Sequence, residues 1–182
     1  DARRRPATTE AALASARMGC RTLLLTLQID TIAKMSCNPA IGGLAKGQLV
    51  REIDALGGEM AKVADASGIQ FRMLNRSRGP AVHSPRCQSD RMLYASEMRH
   101  RLEKQQRLDI RQDLVEDLII EGGRVHGVRA ASGVEYRGRT VVLTTGTFLR
   151  GLIHVGDMEY PGGRAGESAA QWLSAGMERL GI

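Results

Sequence analysis

The sequence predicts an α/β fold with a parallel sheet and a small antiparallel β layer, and two observations support this. An alanine-rich helical segment at residues 10–18 is followed by Gly19 and then by a short apolar run at 21–27. Helix, glycine and strand in this order form the second half of a βαβ unit, which favours parallel strands. From Leu108 onwards, four strand-like runs separated by glycine-bearing turns predict the antiparallel layer over residues 108–138.

The elements between these two regions follow from periodicity and turn residues. Residues 28–43 are a predicted loop, residues 44–56 a helix, and a further short helix reaches Ala66. Residues 69–74 alternate like a strand. Residues 89–105 form the clearest amphipathic helix, with one apolar stripe predicted to contain Met92, Leu93, Met98 and Leu102.

The second half of the chain contains the strongest turn signal. The segment VEDLIIEGGRVHGVRA predicts a hairpin, because Gly122 and Gly123 can supply the positive φ angles of a tight turn. Residues 140–145 (TVVLTT) predict a buried strand that ends at Gly146. A final helix is predicted from near Glu167 to Leu180.

Composition excludes several classes of protein. The 182 residues are 42% hydrophobic and 25% charged, as in an ordinary globular domain and unlike a disordered tail. The apolar runs are too short for a membrane-spanning helix, and residues 1–10 lack the apolar core of a secretory leader. Three cysteines without a close pair, Cys20, Cys37 and Cys87, support neither a disulfide framework nor a zinc site. A reducing, cytoplasmic setting is therefore expected.

The segment MSCNPAIGG, residues 35–43, is the most unusual in the chain. It places Cys37 ahead of a predicted helix, where the helix dipole favours a thiolate. Gly42 and Gly43 would allow a ligand to approach the backbone closely. The alternative is that Cys37 is a small buried hydrophobe, the commoner fate of a lone cysteine. Flavin disulfide reductases place a second cysteine where this chain has Gly42, so a dithiol mechanism is not expected.

The segments EAALASARMG, MSCNPAIGG, GIQFRMLNRSRGPAV and GTFLRGLIHVG strongly resemble the MnmG/GidA family, from about Glu10 to the end of the chain. The resemblance implies a FAD/NAD(P)-binding Rossmann-like parallel sheet lacking its first strand. It also implies that the chain is the N-terminal fragment of a flavoprotein. The complete flavoprotein is expected to form a homodimer and to work with a GTPase of the MnmE type. That enzyme adds a carboxymethylaminomethyl or aminomethyl group to C5 of the tRNA wobble uridine, using FAD, NADH and methylene-tetrahydrofolate. The fragment alone is expected to be inactive.

The resemblance also assigns site residues. It implies that Cys37 is one of two cysteines that the reaction needs, and that the backbone at Val115 faces the adenine side of FAD. Gly146 and Thr147 fall in the segment that passes close to the cofactor, although Gly146 could equally be an ordinary turn. A flavin-contacting serine of the family falls at Ala170, so that side-chain contact is missing or supplied by a neighbour.

The largest departure from the family lies at residues 3–8, which read RRRPAT where a glycine-rich phosphate loop is expected. Such a loop lets backbone N–H groups approach a pyrophosphate, and side chains larger than glycine block that approach. We therefore interpret residues 1–9 as an aberrant or misread stub ahead of a partial FAD-binding domain at 10–182. Poor FAD binding by the isolated chain is the expected consequence.

Charge suggests a second surface. The net charge of +6 comes from 22 arginines and four lysines against 20 acids. The excess of arginine over lysine either favours phosphate contacts or simply reflects a GC-rich genome. One basic stretch carries a single acid, Asp90, and contains Arg72, Arg76, Arg78, His83, Arg86 and Arg91. It is either a salt-sensitive phosphate-contacting face, for tRNA or a cofactor tail, or a solvated loop and helix start.

Two other functions remain open from the sequence. One is a generic FAD- or NAD-dependent oxidoreductase with a single reactive cysteine, and the other is a cofactor-free basic RNA-binding fragment. Aromatic residues make up only 3%, which disfavours a base-stacking surface. The four histidines are scattered singly, so neither a metal site nor histidine catalysis is expected.

Overall fold

A computed structural model describes residues 5–35, 38–146, 149–163 and 171–181, and the chain forms two compact units. The first unit comprises Asp1–Leu24 and Asp30–Ile110, and the second comprises Leu25–Ile29 and Arg111–Ile182. In the described ranges, no helix is long and apolar enough to cross a membrane.

The elements up to residue 112 follow the predicted order of helices and strands. They are α1 (Arg5–Arg17), β1 (Thr22–Thr26), β2 (Ala40–Gly42), α2 (Lys46–Ala55), α3 (Met60–Ser67), β3 (Gly68–Leu74), β4 (Ser84–Ser89), α4 (Arg91–Lys104) and β5 (Leu108–Gln112). Helix α1 begins earlier than predicted and ends just before Gly19, whose φ of +88° suits the C-terminal turn of a helix. The predicted loop at 28–43 contains the short strand β2, and the polar stretch after residue 75 contains β4.

Strands β1 and β5 form a parallel pair, as expected for a parallel sheet, although the sequence predicted residues 108–112 in the antiparallel layer. The Thr22 N–H donates to the Arg107 carbonyl at 2.8 Å, and the Asp113 N–H donates to the Thr26 carbonyl at 2.9 Å. The residue numbers of the hydrogen-bonded partners increase in the same direction on both strands, so the strands are parallel. Among the described residues β5 pairs with β1 and with no other strand, so the antiparallel layer expected over 108–138 begins only after β5.

The core of the first unit lies between its helices. Leu13 of α1, Val63 of α3 and Met98 of α4 are almost fully buried. The predicted stripe on α4 is wrong in part, because Met92 and Leu93 are exposed. The buried positions are spaced four apart along α4, which keeps them on one helical face, and they are Tyr94, Met98 and Leu102.

The second unit is built mainly from antiparallel strands. Its remaining elements are β6 (Val115–Glu121), β7 (Arg124–Ala130), β8 (Glu135–Arg137), β9 (Leu152–Val155), β10 (Met158–Pro161) and α5 (Gln171–Arg179). Strands β6, β7 and β8 form one sheet, and β9 pairs with β10. The hairpin prediction is confirmed, since Gly122 and Gly123 join β6 to β7 with φ angles of +57° and +75°. Helix α5 lies in the predicted final helix, whose expected start at Glu167 is outside the described residues.

The prediction of a buried strand at 140–145 is wrong. These residues form no strand in the described part of the chain, and Val142 is 66% exposed. Apolar composition alone does not make a strand, because strand backbone groups need a neighbouring strand to pair with. The structure gives residues 140–145 no such neighbour among the described residues.

Candidate phosphate-binding face and cofactor positions

One face of the sheet formed by β2, β4 and β3 carries a cross-strand pair of arginines. In the antiparallel register, Arg72 of β3 lies opposite Arg86 of β4, and Gln70 lies opposite Gln88 in the neighbouring row. Residues directly opposite each other in such a ladder project to the same side of the sheet. We call the surface formed by these four side chains the arginine face.

The other side of the sheet packs against helix α3. The Cys87 thiol is buried and contacts the Ala64 carbonyl of α3 at 3.3 Å and the Ser89 hydroxyl at 3.6 Å. Side chains alternate along a strand, so Arg86 and Gln88 project away from α3. Arg72 is exposed and Arg86 is half-buried. Cys87 thus faces α3, and Arg86 and Gln88 lie on the opposite side of the sheet.

The positive charge of the arginine face is not neutralised by carboxylates within the described residues. Neither Arg72 nor Arg86 has an ion-pair partner there, and the Arg86 guanidinium donates instead to the Gln88 side-chain carbonyl at 3.3 Å. Asp90, the single acid of the basic stretch, is used elsewhere. Its carboxylate caps helix α4 by accepting the N–H groups of Met92 and Leu93 at 2.8 and 2.9 Å.

The connection between β3 and β4 extends the basic surface and is held by local hydrogen bonds. Arg76 and Arg78 are exposed in it. The Arg78 N–H donates to the Asn75 carbonyl at 2.9 Å, and the Arg78 carbonyl lies 3.1 Å from the His83 ring nitrogen Nε2. The stretch thus combines a strand pair with an ordered turn.

Gly42 and Gly43 lie beside this face, and at Gly42 the backbone of β4 occupies the space of the missing side chain. Gly42 has a φ of +86°, and a Cβ built on it would lie 2.3 Å from the Pro85 carbonyl oxygen. The Gly43 N–H donates to the same carbonyl at 2.8 Å. Gly43 is buried, with the Arg86 and Leu74 side chains 4.0 Å from the position of its absent Cβ. In the described residues Gly42 therefore allows β2 to approach β4 closely, and the proximity of either glycine to a flavin stays a prediction.

Cys37 lies outside the described residues, and its flanks are anchored. Met35 is buried before it. After it, the Pro39 carbonyl accepts the Ser89 N–H at 2.8 Å, and Ala40 begins β2 opposite Gln88. These contacts place the segments on both sides of the cysteine in the first unit. The reactivity of Cys37 stays a prediction.

The other predicted cofactor positions lie in the second unit. Val115 begins β6, is half-buried and pairs with Ala130 of β7. Gly146 is a half-buried turn residue with a φ of +65°. Thr147 and Ala170 lie outside the described residues. The predicted flavin contacts are therefore divided between the two units, Gly42 and Gly43 in one and Val115 and Gly146 in the other.

A buried carboxylate cluster in the first unit was not anticipated from the sequence. The Glu59 carboxylate, 5% exposed, accepts from Arg17 of α1 and Arg101 of α4, each at 2.5 Å. Burial raises the pKa of Glu59, but hydrogen bonds from Arg101 and Arg17 outweigh it and leave the pKa below its ordinary value. The Glu10 carboxylate caps α3, accepting the Glu59 and Met60 N–H groups at 2.9 and 2.6 Å. Sequence spacing could not reveal contacts between separate helices.

Within the described residues, no group of three or more histidine, cysteine, aspartate or glutamate side chains is placed to hold a metal ion.

The parallel pair and the small antiparallel sheets define a mixed α/β protein, and similar solved structures place it in the Rossmann-like class. Comparison with known proteins narrows this class to one family. The family model described as glucose inhibited division protein A matches residues 6–182, and the chain belongs to that family.

Similar sequences carry a consistent name. The chain is 59% identical over 173 residues to a protein of Protochlamydia amoebophila and 61% identical over 173 residues to one of Syntrophotalea carbinolica. Both are called tRNA uridine 5-carboxymethylaminomethyl modification enzyme MnmG. Each match covers 95% of this chain and 28% of the relative, so the chain spans little more than a quarter of their length.

Solved structures agree with the fold. The chain superimposes on Aquifex aeolicus GidA with a TM-score of 0.92 and 54% identity, covering 96% of this chain and 29% of that one. A GidA-related protein of Thermus thermophilus shares the fold, with a TM-score of 0.60 at 23% identity over 94% of this chain and 63% of that one.

Proposed function

We propose that this chain is the N-terminal part of the flavin-binding component of an enzyme that modifies the wobble uridine of tRNA. The observation that carries the proposal is 59–61% identity over 95% of the chain to relatives named for that modification. At this level of identity over nearly the whole segment, the chemistry of its site residues is expected to be shared. The complete protein would add a carboxymethylaminomethyl or aminomethyl group to C5 of the uridine.

The proposed cofactor is FAD, with NADH and methylene-tetrahydrofolate supplying reducing equivalents and the one-carbon unit. The positions proposed to approach FAD are Val115, Gly146, Thr147, Ala170, Gly42 and Gly43. Cys37 is the proposed reactive thiol of this segment. It would contribute the sulfur atom. The neighbouring chain is held on one side by the buried Met35 side chain and on the other by the hydrogen bond from the Ser89 N–H to the Pro39 carbonyl. A GTPase of the MnmE type and a second copy of the complete protein are the proposed partners.

A chimaera tests this proposal directly. In a complete relative, the segment that matches residues 10–182 is replaced by those residues of this chain. The chimaera is expressed in cells that lack the modification, and their tRNA nucleosides are analysed by mass spectrometry. We expect the modified wobble uridine to return. Its absence, with the chimaera folded and containing flavin, would contradict the proposed function.

Cysteine variants of the same chimaera test the thiol. Cys37→Ser is expected to abolish the modified nucleoside while leaving the flavin bound. Cys20→Ser is the matched control, because Cys20 is an exposed free thiol elsewhere in the same unit. Modification that survives Cys37→Ser would remove this cysteine from the chemistry.

A further inference from the structure

We propose that Arg72 and Arg86 form a two-guanidinium clamp for a phosphodiester group of the tRNA backbone. This inference rests on the proposed function, since it identifies where the substrate is held. It assigns a binding role to the arginine face, and it separates two arginines from the other basic residues of the stretch.

The first step in the argument is the cost of placing these residues together. Like charges directly opposite each other on neighbouring strands destabilise a sheet. The register places Arg72 opposite Arg86, and no carboxylate within the described residues offsets the repulsion. An anion bound between the two guanidinium groups would attract both, and this attraction would offset their mutual repulsion. The pair is therefore better suited to holding a ligand than to stabilising the sheet.

The second step is geometry. The half-buried Arg86 side chain lies over Gly43 and is held by Gln88, so its guanidinium is oriented before a ligand arrives. Arg72 is exposed beside it. Guanidinium groups donate in a planar fork that matches two phosphate oxygens, and an oriented fork loses less entropy on binding.

The third step identifies the source of the phosphate. The arginine face lies on the side of the sheet away from α3, and the exposed Arg76 and Arg78 continue the basic surface along the ordered turn. Several cations spread along an open surface suit a chain of phosphates better than a single pyrophosphate. A polynucleotide backbone is therefore favoured over the cofactor.

The experiment measures tRNA binding by the chimaera as a function of salt concentration. Arg72→Gln and Arg86→Gln, singly and together, remove the two cations. Each released contact should lower the slope of log K against log salt by about 1, and the double variant should bind roughly 10- to 30-fold more weakly at 0.15 M salt. Lysine at both positions should restore most of the salt slope and less of the affinity, since lysine lacks the planar fork.

Controls separate this inference from its alternatives. Arg51→Gln makes the same change of charge at an exposed position on α2 and should leave the slope unchanged. Equal losses for Arg51→Gln and the clamp variants would show a general charge effect and overturn the clamp. Loss of flavin absorbance in the double variant, with unchanged tRNA affinity, would assign the phosphate to the cofactor and also overturn it. Unchanged tRNA binding in a chimaera that still modifies tRNA would refute the clamp alone, whereas a folded parent chimaera without modification would refute the proposed function.

Discussion

The Glu59 carboxylate joins three helices through ionic hydrogen bonds. Glu59 is the residue that precedes α3. Its carboxylate accepts from Arg17 of α1 and Arg101 of α4, and it lies 3.4 Å from the Lys62 ammonium group in the first turn of α3. A buried carboxylate is costly unless it is paired and hydrogen-bonded. Two guanidinium groups satisfy that requirement here, so the cluster holds the helices in one arrangement.

Replacing this carboxylate should destabilise the first unit. Glu59→Gln keeps the size of the side chain but removes both charge-assisted hydrogen bonds, and we expect a loss of about 1–3 kcal/mol in the free energy of unfolding. Urea denaturation followed by circular dichroism measures it. Glu52→Gln, at an exposed position on α2, is the control and should change stability by less than about 0.5 kcal/mol.

The lowered pKa of Glu59 also predicts how stability depends on pH. A carboxyl with a lower pKa in the folded than in the unfolded state stabilises the fold above its unfolded pKa. That contribution is lost as pH falls through the folded pKa. The wild-type chain should therefore lose more stability than Glu59→Gln as pH is lowered through the range of an ordinary glutamate and below it. Parallel stability curves for the two proteins would contradict this explanation.

Among the elements, the contact between β2 and β4 depends on a glycine. Gly42 has both a positive φ and the Pro85 carbonyl at the position of its absent Cβ. Gly19 has an almost identical φ of +88° at the end of α1, but nothing lies within 4 Å of the position of its absent Cβ. The two residues therefore separate the cost of backbone strain from the cost of a steric clash.

Alanine at these two glycines should give unequal losses of stability. Gly19→Ala introduces only the strain of a left-handed residue, about 1–2 kcal/mol. Gly42→Ala adds a clash with a strand backbone, for which we expect roughly 1–3 kcal/mol more. Chemical denaturation of both variants under the same conditions measures the difference. Equal losses would show that β4 can move away from β2 without cost.

The elements also show which features the sequence could predict. The hairpin at Gly122 and Gly123 was predictable because its signal lies in the turn residues themselves. The strand expected at 140–145 was not, since its formation depends on a partner strand that the apolar run does not specify. On α4, the buried face contains Tyr94 rather than Met92 and Leu93, which the predicted stripe had included.

In the candidate site, too, some features could be predicted from the sequence and others could not. The basic stretch was visible in the composition of a single segment. The opposition of Arg72 and Arg86 was not, because it depends on the register of β3 with β4 across an ordered connection. Likewise, Gly42 and Gly43 were recognisable as a close-approach position, but the sequence could not show that the Pro85 carbonyl lies where a side chain at residue 42 would be.

At the scale of the whole molecule, the predicted flavin contacts are distributed over two units. Gly42 and Gly43 belong to the first, and Val115 and Gly146 belong to the second. The glycine pair is packed against β4, and residues 3–8 contain no glycine that would let a pyrophosphate approach the backbone. The absence of glycine from residues 3–8 is the feature that argues against tight pyrophosphate binding by this chain.

The isolated 182-residue chain should accordingly bind FAD poorly, whereas the chimaera should bind it stoichiometrically. The chimaera keeps its relative's own residues ahead of position 10, and its remaining domains stay in place. Both proteins are purified with excess FAD, desalted, and compared by visible absorbance per polypeptide. Circular dichroism of the isolated chain shows whether its helices and strands form, which separates weak binding from unfolding. A folded isolated chain with one flavin per polypeptide would show that glycines at residues 3–8 are dispensable and that the contacts at Val115 and Gly146 suffice.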